Sequence, residues 1–427
     1  MHPPAAGGPM RTTLLAMIVV ALAVGCARST TSTPAGALGG ECLPDRRCSL
    51  GLECFRGICL EPEMIAGRDG GAPLGRDASV PLDPDRGDGG RRADDAGVPP
   101  VTGEVVARGS GELLAVFVIE AGWIVVDRDA ARLIGRDGGE LATFASGREI
   151  TAAAFDGEYV AIADRAELTS LTPDLATIAT SRLPRFCEAG VIVSGHRFVC
   201  GPENDWDRVF STHDLETGAT LGLSTEHTYN GIPMERVPGT DHFVTTTVSS
   251  SPSDFHLYEV TASGVATFVN ESPYHGDIAA STVFAFVGSP ATHLVNHVGV
   301  MLRIFGDGCA PGSSFTSGCF VRDGDLGTLS GSEGYVAMTE DGTSIYALQG
   351  DGDRFFSDPL CETACTIERV DPAARRVTSS RGYAVPFLAI PAFEHDRWAS
   401  KVVLGVQSEG DRFDGFTAYE VRLAPYE

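Results

Sequence analysis

Lysine is almost missing from this chain: Lys401 is the single lysine among 32 basic side chains, and 57 acidic residues leave a formal net charge of −25. A field of that sign repels nucleic acid and anionic lipid headgroups, which excludes phosphate tracking and attachment through a polybasic patch. It attracts cations, Ca²⁺ included, and basic partners. Long hydrophobic runs are missing too. The run from Leu14 to Gly25 holds about a dozen residues, where a membrane-spanning helix needs about 20. No GxSxG elbow, SxxK, HExxH or phosphate-binding Gly loop occurs, so no catalytic class is marked by a motif. No CxxC knuckle occurs and His does not cluster near Cys, which argues against zinc. Helical periodicity is nearly absent.

Cysteine is plentiful by contrast. Ten of the eleven fall into local groups: Cys42, Cys48, Cys54 and Cys59; Cys187 with Cys200; Cys309 with Cys319; Cys361 with Cys365. Nearby pairs in even number read as disulfides formed in an oxidising compartment. The eleventh, Cys26, follows Arg11, the short apolar run and the junction Leu22-Ala23-Val24-Gly25. A basic residue, an apolar core, small residues and then Cys form the layout of an export signal rather than of a spanning helix. The junction resembles a bacterial lipobox. Resemblance to that family implies cleavage before Cys26, acylation of Cys26 and a membrane anchor made of lipid. With Ala27 and Arg28 following, and no Asp after the Cys, the resemblance implies an outer-membrane destination. The competing reading is an ordinary secretory signal cut near Ala23-Val24-Gly25, with Cys26 a spare thiol.

Four segments precede the bulk of the chain: the signal at 1–25, a polar tether at 26–40, a Cys-dense bead at 41–60 and a linker at 61–100. The bead has too few residues to bury a core, so crosslinks must hold it. Its spacing and GLxCxxGxC ending resemble small modules related to the Dickkopf N-terminal type. Four Cys allow three pairings; Cys42–Cys54 with Cys48–Cys59 is the expected one. A structural bead and a binding module are both consistent with it. The linker is dominated by Gly, Pro, Asp and Arg, cannot fold alone and spans about 35 Å on average. It is similar to linkers in lipoproteins of predatory and social-gliding (myxobacteria-like) Gram-negative bacteria.

Residues 101–427 consist of short strand-like runs separated by Gly, Asp, Asn and Pro, which argues for an all-β domain. The clearest unit is 150–183, where ITAAAFDG, EYVAIADR, ELTSLTPD and ATIATSRL are four strands joined by tight turns. Four antiparallel strands per unit of about 40 residues mark a propeller blade. Similar units cover 112–146, 189–226, 234–272, 278–331 and 335–383. In 278–331 the expected strands are IAASTVFAFVGS, HLVNHVGVMLRI, FTSGCFVRDG and DLGTLSG. The unit at 387–423 supplies only three strands, and GEVVARG (103–109) is left over. That segment is predicted to pair with Thr417–Leu423 and close a seven-bladed β-propeller, which removes the sheet edges; six or eight blades remain compatible with the irregular later units. Cys187–Cys200 would staple two strands of the third blade, and Cys309–Cys319 and Cys361–Cys365 would each pin a long loop.

Loops between the second and third strands share one face of a propeller. Those at 305–314, 351–365 and 407–415 read as long, and those at 203–207 and 250–254 as moderate. Decoration of one face of a rigid scaffold marks a binding face. The string GDRF recurs there, in Asp353-Arg354-Phe355 and Asp411-Arg412-Phe413, with a weaker echo in Asp207-Arg208-Val209-Phe210; Trp206 beside that echo is a further candidate. Carboxylates, guanidinium forks and rings suit a sugar or peptide, or Ca²⁺. The competing reading is repeat inheritance, with Asp closing a turn, Arg pairing with it and Phe packing beneath. The pairs Asp127/Asp129, Asp323/Asp325 and Asp351/Asp353 lack the rest of an EF-hand loop and read as turn residues. His196, His213, His227, His242, His256, His275, His293, His297 and His395 are scattered; His293 and His297 are expected to share a strand. Lactonase-type and lyase-type propellers place such residues at a central channel. The expectation is a lipid-anchored binding or scaffold protein for a protein or glycan, without catalytic residues, cofactor or nucleic acid. The alternatives are a hydrolase or lyase using carboxylate or His at the channel, and a purely structural protein if apolar side chains plug the funnel.

Overall fold

The computed structural model describes Glu53–Phe55, Ile58–Leu60 and, between residues 101 and 427, all but the segments 202–208, 225–233, 247–254, 273–282, 306–308, 310–318, 327–334, 351–360, 362–364 and 412–414. The chain divides into two compact units, residues 1–88 and 89–427. In the first, Glu53–Phe55 and Ile58–Leu60 form an antiparallel hairpin that sets Cys54 opposite Cys59. Cys26 and the expected pairings Cys42–Cys54 and Cys48–Cys59 lie outside the described residues.

The second unit is an all-β propeller of seven four-stranded antiparallel sheets. Blades 1 to 6 take their strands in sequence order, over 113–145, 150–182, 189–223, 234–271, 284–325 and 335–383. Blade 7 takes Ala389–Asp396, Lys401–Asp411 and Gly415–Ala424, and receives Glu104–Ser110 as its outermost strand. The register of this latch is Val105 opposite Arg422, Arg108 opposite Glu420 and Gly109 opposite Tyr419, so the leftover segment closes the ring as predicted.

The sequence pattern follows each strand's place. Middle strands lie between neighbouring blades and are buried on both sides, so Gly122–Asp127 and Val160–Asp164 are buried throughout. They read as continuous apolar runs. The outermost strand Glu140–Ala145 alternates exposed and half-buried positions. Aspartates set the first turns of blades 2, 6 and 7. Asp156 Oδ1 accepts from the backbone N–H of Glu158 and Tyr159, Asp341 Oδ1 from Thr343 and Ser344, and Asp396 Oδ1 from Trp398 and Ala399. This is local turn chemistry that competes well with strand extension.

The closure seam has a hydrophobic core of its own. Leu113, Val116 and Trp123 of blade 1 share a core with Val403, Tyr419 and Val421 of blade 7. Each such side chain contributes about 1.5–3 kcal/mol by burial. Two buried carboxylates pin the same seam. Asp127 Oδ2 accepts from Tyr419 Oη at 2.7 Å and from Arg132, and Asp396 Oδ2 accepts from Trp123 Nε1 at 2.9 Å and from Arg136. Disulfides Cys187–Cys200, Cys309–Cys319 and Cys361–Cys365 are formed, with Cα separations of 5.4, 4.4 and 5.6 Å.

Two expectations are corrected. In blade 5, 293–304 is two strands, His293–Asn296 and Val300–Ile304. Asn296 Oδ1 accepts from the N–H of Val298 at 3.2 Å and of Val300 at 2.9 Å, and Gly299 takes a φ of 79°, which turns the chain inside an apolar run. The fourth strand is therefore Phe320–Asp325, not DLGTLSG, and His297 sits in the turn rather than beside His293 on a strand. In blade 7, the expected loop 407–415 is mostly hairpin. Lys401–Asp411 and Gly415–Ala424 pair out to Asp411 opposite Gly415, leaving only 412–414 between them.

Candidate functional site

Strand alternation places the first-to-second and third-to-fourth connections on one face and the second-to-third and blade-to-blade connections on the other. The second-to-third junctions of blades 3, 4, 6 and 7, between Gly201 and Ser211, Thr246 and Phe255, Gln349 and Cys365, and Asp411 and Gly415, lie on one face. The junction between Ile304 and Phe320 is third-to-fourth and lies on the opposite face, which corrects the expected placement of the 305–314 loop. Phe305 shows the same: its ring meets His242, at the first turn of blade 4, at 4.9 Å.

Asp353, Arg354, Phe355, Arg412, Phe413, Trp206 and Asp207 lie outside the described residues, and Asp411 is placed only as the last residue of its strand. The third-blade echo does have a described end. Phe210 is fully buried and packs edge-on against Phe243 at 5.3 Å and Tyr258 at 5.0 Å, as repeat inheritance requires. Asp127 is a turn and seam residue rather than a cation ligand, its Oδ1 accepting from the N–H of Asp129 and Ala130. Asp323 pairs with His293 at 3.1 Å, and Asp325 with Arg322 at 3.0 Å.

The described histidines do not gather at one point. His213 and His256 are buried, and burial lowers each to about 4. His213 is surrounded by the hydroxyls of Ser211, Ser181 and Thr220 at 3.0, 3.4 and 3.3 Å, which accommodate a neutral ring and offer no counter-charge. His196 bridges blades 2 and 3 through Asp156 at 2.9 Å. Among the described histidines only His395 lines the channel, stacked on Tyr346 at 4.3 Å.

Among the described residues, none plugs the channel. A cavity of about 1380 Å³ runs along the inner strands, from Leu114 and Val283 to the first turns at Glu120, Asp341 and Trp398. Three carboxylates outside the expected site line it: Glu235, Glu340 and Glu394. Burial pushes Glu394 up to about 8, with the charges of Glu235 and Glu340 adding to the effect, while the Thr339 hydroxyl at 3.5 Å opposes it. Burial pushes Glu235 up to about 7 and also raises Glu340. Next to Glu340, Asp341 is held down at about 2: burial works against its charge, but hydrogen bonds from Thr343, Ser344 and Tyr346 outweigh that. Like charges sharing a low-dielectric space raise one another, and donors aimed at a carboxylate lower it. These residues were missed because each sits in or beside the first strand of its own unit, 159 residues apart from Glu235 to Glu394. The available signal was a carboxylate interrupting an innermost strand, as in Met234-Glu235-Arg236 and Phe393-Glu394-His395.

At the mouth, Trp398 is 42% exposed. The guanidinium carbon of Arg397 lies 4.2 Å from its ring centre and that of Arg136 5.5 Å. Arg136 is itself fixed, donating from Nε to the Glu120 carbonyl at 3.2 Å and from its other nitrogens to Asp396 and the Ile119 carbonyl. Among the described residues no group of three or more His, Cys, Asp or Glu is close enough to hold a metal ion.

Neither a family model nor a curated protein matches the sequence. Among solved structures, the chain is similar to the WD40 repeats of RRP9, with a TM-score of 0.48 and 9% identity over 76% of this chain and 100% of that one. It is also similar to BamB from Moraxella catarrhalis, with a TM-score of 0.41 and 11% identity over 75% of this chain and 100% of that one.

Proposed function

We propose that this chain is a lipid-anchored cell-envelope protein whose propeller is a binding or scaffold module. Cys26 carries the acyl chains and directs the protein to the outer membrane. Residues 26–40, 41–60 and 61–100 act as tether, Dickkopf-like bead and flexible linker, and residues 101–427 present the propeller beyond the membrane. The observation that carries the binding reading is the asymmetry of the ring. A rigid, latched scaffold has short turns on one face, apart from 305–319, and places its other long connections on the opposite face. The partner is a protein or a glycan, met by Asp353, Arg354, Phe355, Asp411, Arg412, Phe413, Trp206 and Asp207, with Ca²⁺ as an optional ligand of the carboxylates.

Two measurements test this. Cys26→Ser should move the protein from the detergent-extracted membrane fraction to the soluble fraction, and the intact mass of the wild type should carry acyl chains. Protein and glycan arrays probed with the full chain, with and without Ca²⁺, should give a signal that Asp353→Ala with Asp411→Ala removes. An unchanged signal would refute the rim. The hydrolase or lyase reading is favoured by one observation, the convergence of Glu235, Glu340 and Glu394 on a single cavity in which Glu394 is raised to about 8 while Asp341 is held at about 2. It requires turnover of a glycan or ester substrate that Glu394→Gln abolishes.

A further inference from the structure

The central channel is a second candidate surface, distinct from the loop-bearing rim. Six carboxylate residues border it, Glu120, Glu188, Glu235, Glu340, Asp341 and Glu394, against two guanidinium residues, Arg236 and Arg397. Counted formally, that is an excess of four negative charges on the walls of one space of about 1380 Å³, two of them on Glu235 and Glu394, which take up a proton below about 7 and 8 when no cation faces them. An anionic ligand is disfavoured by that wall. A lipid tail is disfavoured by a lining in which carboxylates interrupt the apolar strands.

A second feature points the same way. The Glu235 side chain faces the channel, is exposed to the space within it, and has no hydrogen-bond or ion-pair partner among the described residues. A carboxylate that faces an open cavity and takes no donor from its own chain is free to accept charge-assisted hydrogen bonds from a ligand. The mouth carries the complementary device, the exposed ring of Trp398, on which this chain's own Arg397 guanidinium already rests. A cation above an indole is favourable by electrostatics as well as contact. The whole molecule adds long-range attraction, since a net charge of −25 steers cations and a cleft between low-dielectric walls focuses the field.

We propose that the channel admits an arginine- or lysine-bearing segment of a partner protein through the mouth at Trp398, its cationic side chain held by Glu235 and Glu394. This rests on the binding-module reading and names a partner class for it, a basic peptide.

The test is fluorescence anisotropy of a labelled hexa-arginine peptide against the full chain. A strongly acidic protein attracts such a probe anywhere, so the comparison is between variants of equal charge. Glu235→Gln with Glu394→Gln removes two carboxylates inside the channel, and Glu140→Gln with Glu167→Gln removes two on the outside of blades 1 and 2. The channel pair should weaken binding at least tenfold, Trp398→Ala should weaken it several-fold, and the outer pair should change it less than twofold. Equal losses in the two pairs, or no binding at all, would overturn the channel site. Circular dichroism of the Gln variants, which keep shape and remove only charge, reports whether a loss comes from misfolding. The two readings separate on the arrays. A signal that survives Glu235→Gln with Glu394→Gln but is lost in Asp353→Ala with Asp411→Ala sinks the channel and leaves the binding module. Absence of any array signal sinks both.

Discussion

Tyr419 shows how much of the ring's closure depends on single side chains. Its hydroxyl donates to buried Asp127 across the seam, and Gly109 in the latch strand leaves room for its ring. A Cβ at Gly109 would occupy the place of the Tyr419 phenol. Gly109→Ala should therefore cost more than Tyr419→Phe. The latter removes the bond donated to Asp127 and the one accepted from Arg132 but leaves Arg132 on Asp127, for a loss of about 1–3 kcal/mol in urea unfolding. A Gly109→Ala loss no larger than that would show that the phenol has another seat. The buried histidines make a prediction with a definite sign. His213 and His256 sit at about 4 in the folded protein, below the usual 6.5, so the unfolded chain binds more protons between those values. Their contribution to stability is complete above pH 6.5 and is lost as pH falls toward 4, at most about 3 kcal/mol each. The channel carboxylates act oppositely. Glu394 holds its proton up to about 8 when folded, so acidification from there toward 4.5 adds stability. Urea midpoints measured from pH 8 to 4 should fall less steeply below 6.5 in His213→Gln, and the limb between 8 and 6.5 should flatten in Glu394→Gln.

At the level of elements, blade 3 is the place where a crosslink supports a short sheet. Cys187 lies just before the strand Ala189–Val193 and joins Cys200 in the strand Arg197–Gly201, closing a loop of 13 residues. Chain entropy assigns such a loop about 3 kcal/mol. The pair Cys187→Ala with Cys200→Ala should lower the thermal midpoint by a few degrees in the oxidised protein and change nothing under full reduction. The latch strand is the other exposed dependence. Without Glu104–Ser110, the strand Gly415–Ala424 becomes a free edge of ten residues. A chain lacking 101–110 should associate or precipitate in size-exclusion runs, where the intact chain does not. Most of this architecture was legible beforehand because each unit repeats a buried middle strand and an Asp- or Gly-marked turn. It failed where those marks were absent. The turn at Asn296-His297-Val298-Gly299 is hidden among apolar residues, and a strand-like run was read straight through it. The continuation of the last hairpin to Asp411 was hidden for the opposite reason, since Gly410 and Asp411 look like a turn and instead extend a strand with a φ of 119° at Gly410. The channel carboxylates were illegible because nothing local to Glu235 announces Glu394; only closure brings the first strands of blades 4 and 7 around one axis.

For the whole molecule, charge sets a condition on stability that no single contact reveals. A net charge of −25 opposes compaction. Raising ionic strength from about 0.01 to 0.15 M shortens the screening length from about 30 to 8 Å. The thermal midpoint should rise by several degrees over that range, and a flat response would mean that local ion pairs already neutralise the field. The latch has a last consequence, in time rather than in space. Ribosomes deliver a chain from one end only, yet blade 7 draws strands from both sides of the sequence, Val105 meeting Arg422. Six sheets can assemble as they emerge, while Glu104–Ser110 must wait, unclaimed, for the whole interval until Ala424 has arrived. Whatever shelters that early strand during the delay decides how much of the protein ever becomes a ring.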